Sequence, residues 1–182
     1  MGMRVIAGKY RHRPLLYPDS NPNIRPTKDR IREALFSIIG PLDNKIFLDL
    51  YSGSGSIGIE AISRGAKKTY FVDYSPEAIS YVKKNVNQLK IEEEYEIKHC
   101  KDFDALEMFK NDNVKFDVIY IDPPYELGEY EKLISYIYNN DLVNSTSIVI
   151  LESNRKINTN ELLDKLIKEY HYGEIILTVI RR

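Results

Sequence analysis

From residue 45 onward one pattern repeats: a short apolar run, a turn, then a stretch of helical character. The runs are 46–50, 69–73, 95–99, 116–121 and 147–151. Helical stretches lie between them at 56–63, at 76–88 with Pro76 in the first turn, at 104–110, and through Leu133, Ile134, Tyr136 and Ile137. Strands that alternate with helices can bury their apolar surface only in a mostly parallel sheet covered on both faces. The expected fold class is therefore α/β and doubly wound. Two extended runs around His171, Tyr172 and Gly173 predict a closing hairpin, which would place one antiparallel strand near the sheet edge.

The first 40 residues do not follow this rhythm. Residues 3–7 and 14–17 have the character of a short β-ribbon, and residues 19–23 are a loop by composition. Pro26 and Thr27 open a helix whose apolar face is Ile31, Ala34, Leu35, Ile38 and Ile39, and Gly40-Pro41 ends it. This segment is too small to fold alone. It is expected to pack on the remainder, making residues 1–182 one domain with residues 1–40 as an extension.

Composition narrows the function classes. The single cysteine excludes an internal disulfide or a cysteine-built metal site, and His12, His99 and His171 lack ligand spacing. No metal is expected. No apolar run approaches the roughly 20 residues of a membrane span, and residues 1–10 lack the apolar core of a signal peptide. A cytoplasmic, membrane-free protein is expected, with monomer as the default state. The net charge is −1, but it is unevenly placed. Arg4, Lys9, Arg11, Arg13, Arg25, Lys28, Arg30 and Arg32 crowd the first 33 residues, whereas 92–96 carries four glutamates. A basic head of this kind can meet phosphates or can be an ordinary solvated surface.

Two motifs carry chemistry. Asp49, Leu50, Tyr51, Ser52, Gly53, Ser54, Gly55, Ser56, Ile57 and Gly58 leave a strand, turn, and enter a helix. Gly53 and Gly55 allow a ligand close to the backbone, and Asp73 at the next strand end can accept both hydroxyls of a ribose. With Gly58 this is also the dinucleotide spacing, so it denotes a nucleoside-bearing cofactor, NAD or S-adenosylmethionine. Asp49 tips the balance. A carboxylate there suits a cationic amino-acid end and not a pyrophosphate.

The second motif is Asp122-Pro123-Pro124-Tyr125, directly after the buried run 116–121. Neither proline has an N–H to donate, and both hold the backbone extended with carbonyls outward. The Asp122 carboxylate and the Pro123 carbonyl can accept the two hydrogens of an –NH2 group and turn its lone pair toward a methyl. Tyr125 offers a face for a base taken out of its stack.

With these residues the chain resembles the RsmD family of 16S rRNA (guanine-N2)-methyltransferases, nearly end to end. The likeness lies in Arg4 to Gly8 with the basic stretch through Arg13, in Arg25 to Glu33, in Asp49 to Gly58, and in Glu60-Ala61. It continues in Ser63 to Ala66, Asp122 to Tyr125, and Tyr172-Gly173. The resemblance implies a Rossmann-like class I methyltransferase fold: a mostly parallel seven-stranded sheet with one antiparallel strand, plus a small N-terminal β-extension and helix that bind RNA. It implies S-adenosylmethionine as cofactor, and 16S rRNA in the small ribosomal subunit or its assembly intermediate as partner. Asp49, Ser52, Gly53, Gly55 and Asp73 would contact the cofactor, with Phe103 and either Asp102 or Asp104 near its adenine; Asp102, nearer the strand end, is favoured. Asp122, Pro123 and Tyr125 would act on the base, with Pro124 beside it. Arg25, Thr27 and Arg30 would lie near the active site, while Arg4, Lys9, Arg11 and Arg13 would meet phosphates. No family role attaches to the acids of 92–96, which are expected to form a solvated turn.

Rival readings stay open at this point. A DNA adenine-N6 methyltransferase uses the same clamp but usually carries a further recognition domain. A protein glutamine methyltransferase usually has Asn where Asp122 stands. A non-catalytic RNA-binding assembly factor would not need Asp122 for its biological function. An NAD oxidoreductase leaves the Asp122 motif unexplained.

Overall fold

The computed structural model of the chain describes residues 3–18, 29–124, 129–160 and 165–181. Its elements are α1 (Asp29–Ile39), β1 (Ile46–Leu50), α2 (Ser56–Ser63), β2 (Lys68–Asp73), α3 (Pro76–Leu89) and β3 (Glu94–His99). They continue as α4 (Asp102–Asn111), β4 (Phe116–Ile121), α5 (Tyr130–Asn139), β5 (Val143–Ser153), β6 (Leu166–Tyr172) and β7 (Ile175–Arg181). The seven strands form one sheet in the order β3-β2-β1-β4-β5-β7-β6. β1 to β5 pair in parallel, whereas β7 lies antiparallel between β5 and β6. The expected antiparallel strand is thus one place in from the edge. Among the described residues no helix is long and apolar enough to cross a membrane.

Strand alternation sends side chains to two faces. Leu48, Leu50, Val72, Ile119 and Ile121 face α4 and α5 in one apolar cluster. Phe47, Val118, Tyr120 and Ile150 face α1 and α2 in a second, while Phe71 and α3 share a third with the ribbon residues Met3, Val5 and Leu15. Asp49, two places after Phe47, belongs to the α1 side.

Three local differences from the sequence reading have simple causes. β5 starts four residues early, because Asn144, Ser145 and Thr146 read as a polar turn; a register shift opposite Phe116 and Val118 accommodates them. α4 begins at Asp102 and not Asp104, so both acids lie in its first turn, the favoured place for negative charge. On α1 the buried side chains are Ile31, Arg32, Leu35, Phe36 and Ile39, with Ala34 and Ile38 only half-buried. Pro26 and Thr27 lie outside the described residues.

The N-terminal ribbon is held by few ladder bonds and many side chains. Its bridge is Arg4 opposite Pro14. Glu60, fully buried on α2, accepts the backbone N–H groups of Ile6 at 2.8 Å and Ala7 at 3.0 Å and the Arg64 Nε at 2.7 Å. Gly8 has φ of 81°, and a Cβ there would sit 1.7 Å from the Ser63 carbonyl oxygen, so only glycine permits this approach. Buried Asn85 of α3 accepts the Leu16 N–H at 2.7 Å and donates to the Leu16 and Ser54 carbonyls. One side chain thereby joins the ribbon to the glycine loop.

Candidate active site

The site gathers at the carboxyl ends of the parallel strands, where open α/β sheets bind ligands. β1 delivers Asp49, then turns sharply through Tyr51, which has φ of 70° and a backbone N–H donating to the Val72 carbonyl at 2.9 Å. Gly53 and Gly55 also have positive φ, and Gly55 lets the chain enter α2 in a left-handed conformation. A Cβ on Gly55 would lie 3.2 Å from the Val82 side chain and 3.3 Å from Phe71, and one on Gly58 would lie 2.3 Å from Phe71. The glycines therefore serve close packing against β2 and α3 as well as any ligand.

Four acids end four neighbouring strands. Asp49 is 1% exposed and accepts the Gly58 N–H at 2.8 Å. Burial pushes its carboxyl up to about 7, with the Asp73 charge adding and the Gly58 bond opposing. Asp73, at the end of β2, accepts from the Gly53 N–H at 2.9 Å and the Ser75 N–H at 2.8 Å. Burial raises it, and those bonds pull it back. Asp122 follows β4, half-buried, with its N–H directed at the Leu50 carbonyl at 3.4 Å. Loss of water, then the charges of Glu152 and Asp49, hold it well above the ordinary carboxylate range. Glu152, near the end of β5, is 4% exposed; burial raises it and the Tyr120 hydroxyl, donating at 2.5 Å, opposes that.

Among the described residues no Lys or Arg forms an ion pair with any of these four acids. Ser52 Oγ is buried, with no hydrogen-bond partner among the described residues. Unpaired buried charge is costly until a counter-charge arrives. Such a place fits a ligand that carries positive charge and hydroxyl or amino donors, which is the character of S-adenosylmethionine.

Asp102 accepts the Phe103 N–H at 2.8 Å and the Tyr51 hydroxyl, whereas Asp104 is exposed. Of the two, Asp102 is the one tied to the glycine loop. Phe103 packs edge-on against Tyr136, with ring centroids 5.7 Å apart. Pro123 is buried and Pro124 half-buried, while Tyr125 lies outside the described residues. So do Arg25 and Thr27; Arg30 is exposed on the first turn of α1.

The basic head is more heavily engaged than its composition suggests. Lys9 donates to Glu93 at 2.7 Å and also faces Glu92 at 3.6 Å, and the Tyr10 hydroxyl bonds Glu93 at 2.6 Å. The acids of 92–96 are thus not a purely solvated turn, since Glu93 anchors the ribbon. Arg4 lies 4.0 Å from Asp29. Arg13 reaches the Gln88 carbonyl at 3.5 Å, and Arg11 is exposed. Arg32 is fully buried and donates to the Arg4 carbonyl and to Asp29.

Sequence reading missed Glu152 and Asn85, and it counted Glu60 in the family likeness without giving it a role. Glu152 had a usable signal, since it closes an apolar run as Asp73 and Asp122 do. Asn85 had none, and the anchoring role of Glu60 had none, because a polar residue on a helix looks solvent-facing until its partners are known.

Comparison with known proteins places the chain in company consistent with this geometry. The model of a family described as conserved hypothetical protein 95 matches residues 3–181. Ribosomal RNA small subunit methyltransferase D of Haemophilus influenzae is 34% identical over 155 residues, 84% of this chain and 79% of its own. The protein of the same name from Escherichia coli K12 is 30% identical over 152 residues, 83% of this chain and 74% of its own. A hypothetical protein of Thermus thermophilus, of known structure, superposes with a TM-score of 0.83 at 27% identity, over 99% of each chain.

Proposed function

The chain belongs to the conserved hypothetical protein 95 family, which is the RsmD family, and from that premise we propose that it methylates the exocyclic N2 amine of a guanine in 16S rRNA. It is a methyltransferase that uses S-adenosylmethionine. When bound, that cofactor supplies an electrophilic methyl group on a sulfonium.

The observation that carries the reading is the position of Asp122-Pro123 at the end of β4, between the acids of β1 and β5. The Asp122 carboxylate and the Pro123 carbonyl hold the two amine hydrogens and so aim the nitrogen lone pair at the methyl. As positive charge develops on nitrogen, Asp122 stabilises it at short range in a place with little water. Positioning supplies much of the remaining rate. Asp73, fixed by the Gly53 and Ser75 amides, offers its remaining lone pairs to ribose hydroxyls. Asp49 offers negative charge to the cofactor's cationic end. The ribbon, helix α1 and residues 19–28 act as an RNA-binding extension, in which Arg11 and Arg13 meet phosphates.

The test is transfer of labelled methyl from S-adenosylmethionine to undermethylated small subunits, naked 16S rRNA and duplex DNA, followed by nucleoside analysis. N2-methylguanosine from a ribosomal substrate is the expected product. N6-methyladenine in DNA would retain the amine clamp and overturn the substrate.

A further inference from the structure

Glu152 is a buried acid beside the amine clamp, and methyl transfer by Asp122 and Pro123 leaves it without a role. The register of β4 and β5 pairs Ile121 with Leu151, so the next positions, Asp122 and Glu152, end neighbouring strands. Neighbouring strands lie about 4.8 Å apart, a separation that two adjoining donors on one planar ring can bridge when both carboxylates lean toward it. Glu152 shares its sheet face with Tyr120, whose hydroxyl donates to Oε2 at 2.5 Å and fixes the side chain. The Tyr130 hydroxyl donates to the Glu152 carbonyl at 2.9 Å and fixes the backbone. Among the described residues no donor is bonded to Oε1. The side chain is therefore immobilised, nearly dry, and holds one acceptor in reserve.

The base that fits is set by its hydrogens. Guanine carries an N1–H directly beside its N2 amine. Adenine and cytosine carry a bare ring nitrogen beside theirs, which a carboxylate repels. We propose that Glu152 is a specificity-determining residue, accepting the N1–H of the target guanine while Asp122 and Pro123 hold its amine. The inference rests on the guanine-N2 reading and adds the group that enforces it. A site built to accept a donor discriminates strongly against an analogue lacking it, because the acceptor is left buried and unpaired.

The experiment compares 16S rRNA carrying guanine or 2-aminopurine at the methylated position, assembled into the particle the enzyme accepts. 2-Aminopurine keeps the amine and lacks the N1–H. Wild-type enzyme is expected to favour guanine in kcat/KM by roughly 10- to 100-fold, the scale of one charged hydrogen bond. In Glu152→Ala that ratio is expected to fall to within about three-fold, with the guanine substrate bearing most of the loss. Equal use of both bases by the wild type overturns the proposal without any variant. So does a Glu152→Ala enzyme that loses activity on both bases alike and keeps the ratio, since that marks a purely structural role. Absence of any N2-methylguanosine from the wild type overturns the underlying guanine reading as well, and is distinct from both other failures.

Discussion

The Asp49 carboxylate accepts the Gly58 N–H at 2.8 Å, so the amino end of α2 is already occupied by an anion of the chain itself. Helix N-termini in dinucleotide-binding folds receive a pyrophosphate. Here an incoming phosphate would meet a buried carboxylate, and like charges at close range repel. The glycine spacing shared by the two cofactor classes is resolved by this one bond in favour of a cationic ligand.

Asp49 also makes a pH prediction. Its folded-state carboxyl is raised to about 7, above its unfolded value, so ionisation opposes folding. The penalty is absent below about pH 4, grows as pH rises toward 7, and is full above it. Asp49→Asn keeps an acceptor for Gly58 and removes the charge. It is expected to raise the melting temperature of the ligand-free protein at pH 8 and to have little effect at pH 4, while weakening S-adenosylmethionine binding. Thermal denaturation across pH with titration calorimetry reads both; an unchanged stability at pH 8 counts against a buried ionised Asp49.

Asp122 and Asp73 are expected to separate chemistry from binding. Asp122→Ala should lower single-turnover methylation by roughly 10²- to 10³-fold, the usual cost of one preorganised electrostatic group, while cofactor affinity is held. Asp73→Ala should weaken S-adenosylmethionine by roughly ten-fold or more, the worth of a hydrogen bond to a charged acceptor, with turnover at saturation retained. A large loss of cofactor binding in Asp122→Ala would contradict its placement on the base.

The ribbon arginines and Lys9 are expected to behave differently. Replacing Arg11 and Arg13 with Ala should weaken RNA binding and make its dependence on log salt shallower, by about one unit for each phosphate no longer neutralised. Lys9→Ala should change the slope less, because Glu93 and Glu92 already neutralise Lys9. Equal slopes in wild type and the double variant would mean that these arginines do not meet phosphates.

Glu60→Ala removes an acceptor from two backbone amides and one guanidinium. The three donors are only part-buried, so each costs near the low end of about 1–3 kcal/mol, and a loss near 3 kcal/mol, or about 6–12 °C in melting temperature for a chain of this size, is expected. Limited proteolysis should then cut first within the ribbon.

Much of this architecture is legible in the sequence. Apolar runs with an acid in or just after their last two positions locate β1, β2 and β4, because parallel strands are buried on both faces and charge is best tolerated where the sheet opens. The glycine turn before Ser56 and the first-turn Pro76 locate the starts of α2 and α3. What escapes is long-range polar pairing. Glu93 with Lys9 spans 84 residues, Asn85 with Leu16 spans 69, and no local pattern encodes either. Arg32 counts with the basic surface by composition, yet its helical position turns it inward beneath the ribbon. Tyr125, Arg25 and Thr27 lie outside the described residues, so their roles rest on the sequence.

The insertion of β7 between β5 and β6 bears on when the protein becomes competent during its own synthesis. β5 emerges from the ribosome with one edge open, and its partner is made more than twenty residues later. Glu152 pairs with Leu177, so the acid-bearing end of β5 acquires its outer neighbour only after the last strand has been translated. The pairing of β1 with β4 draws on residues made before that neighbour, whereas the pairing at Glu152 does not. A chain that stops short of β7 is therefore expected to leave the Glu152 end of β5 as an unpaired edge.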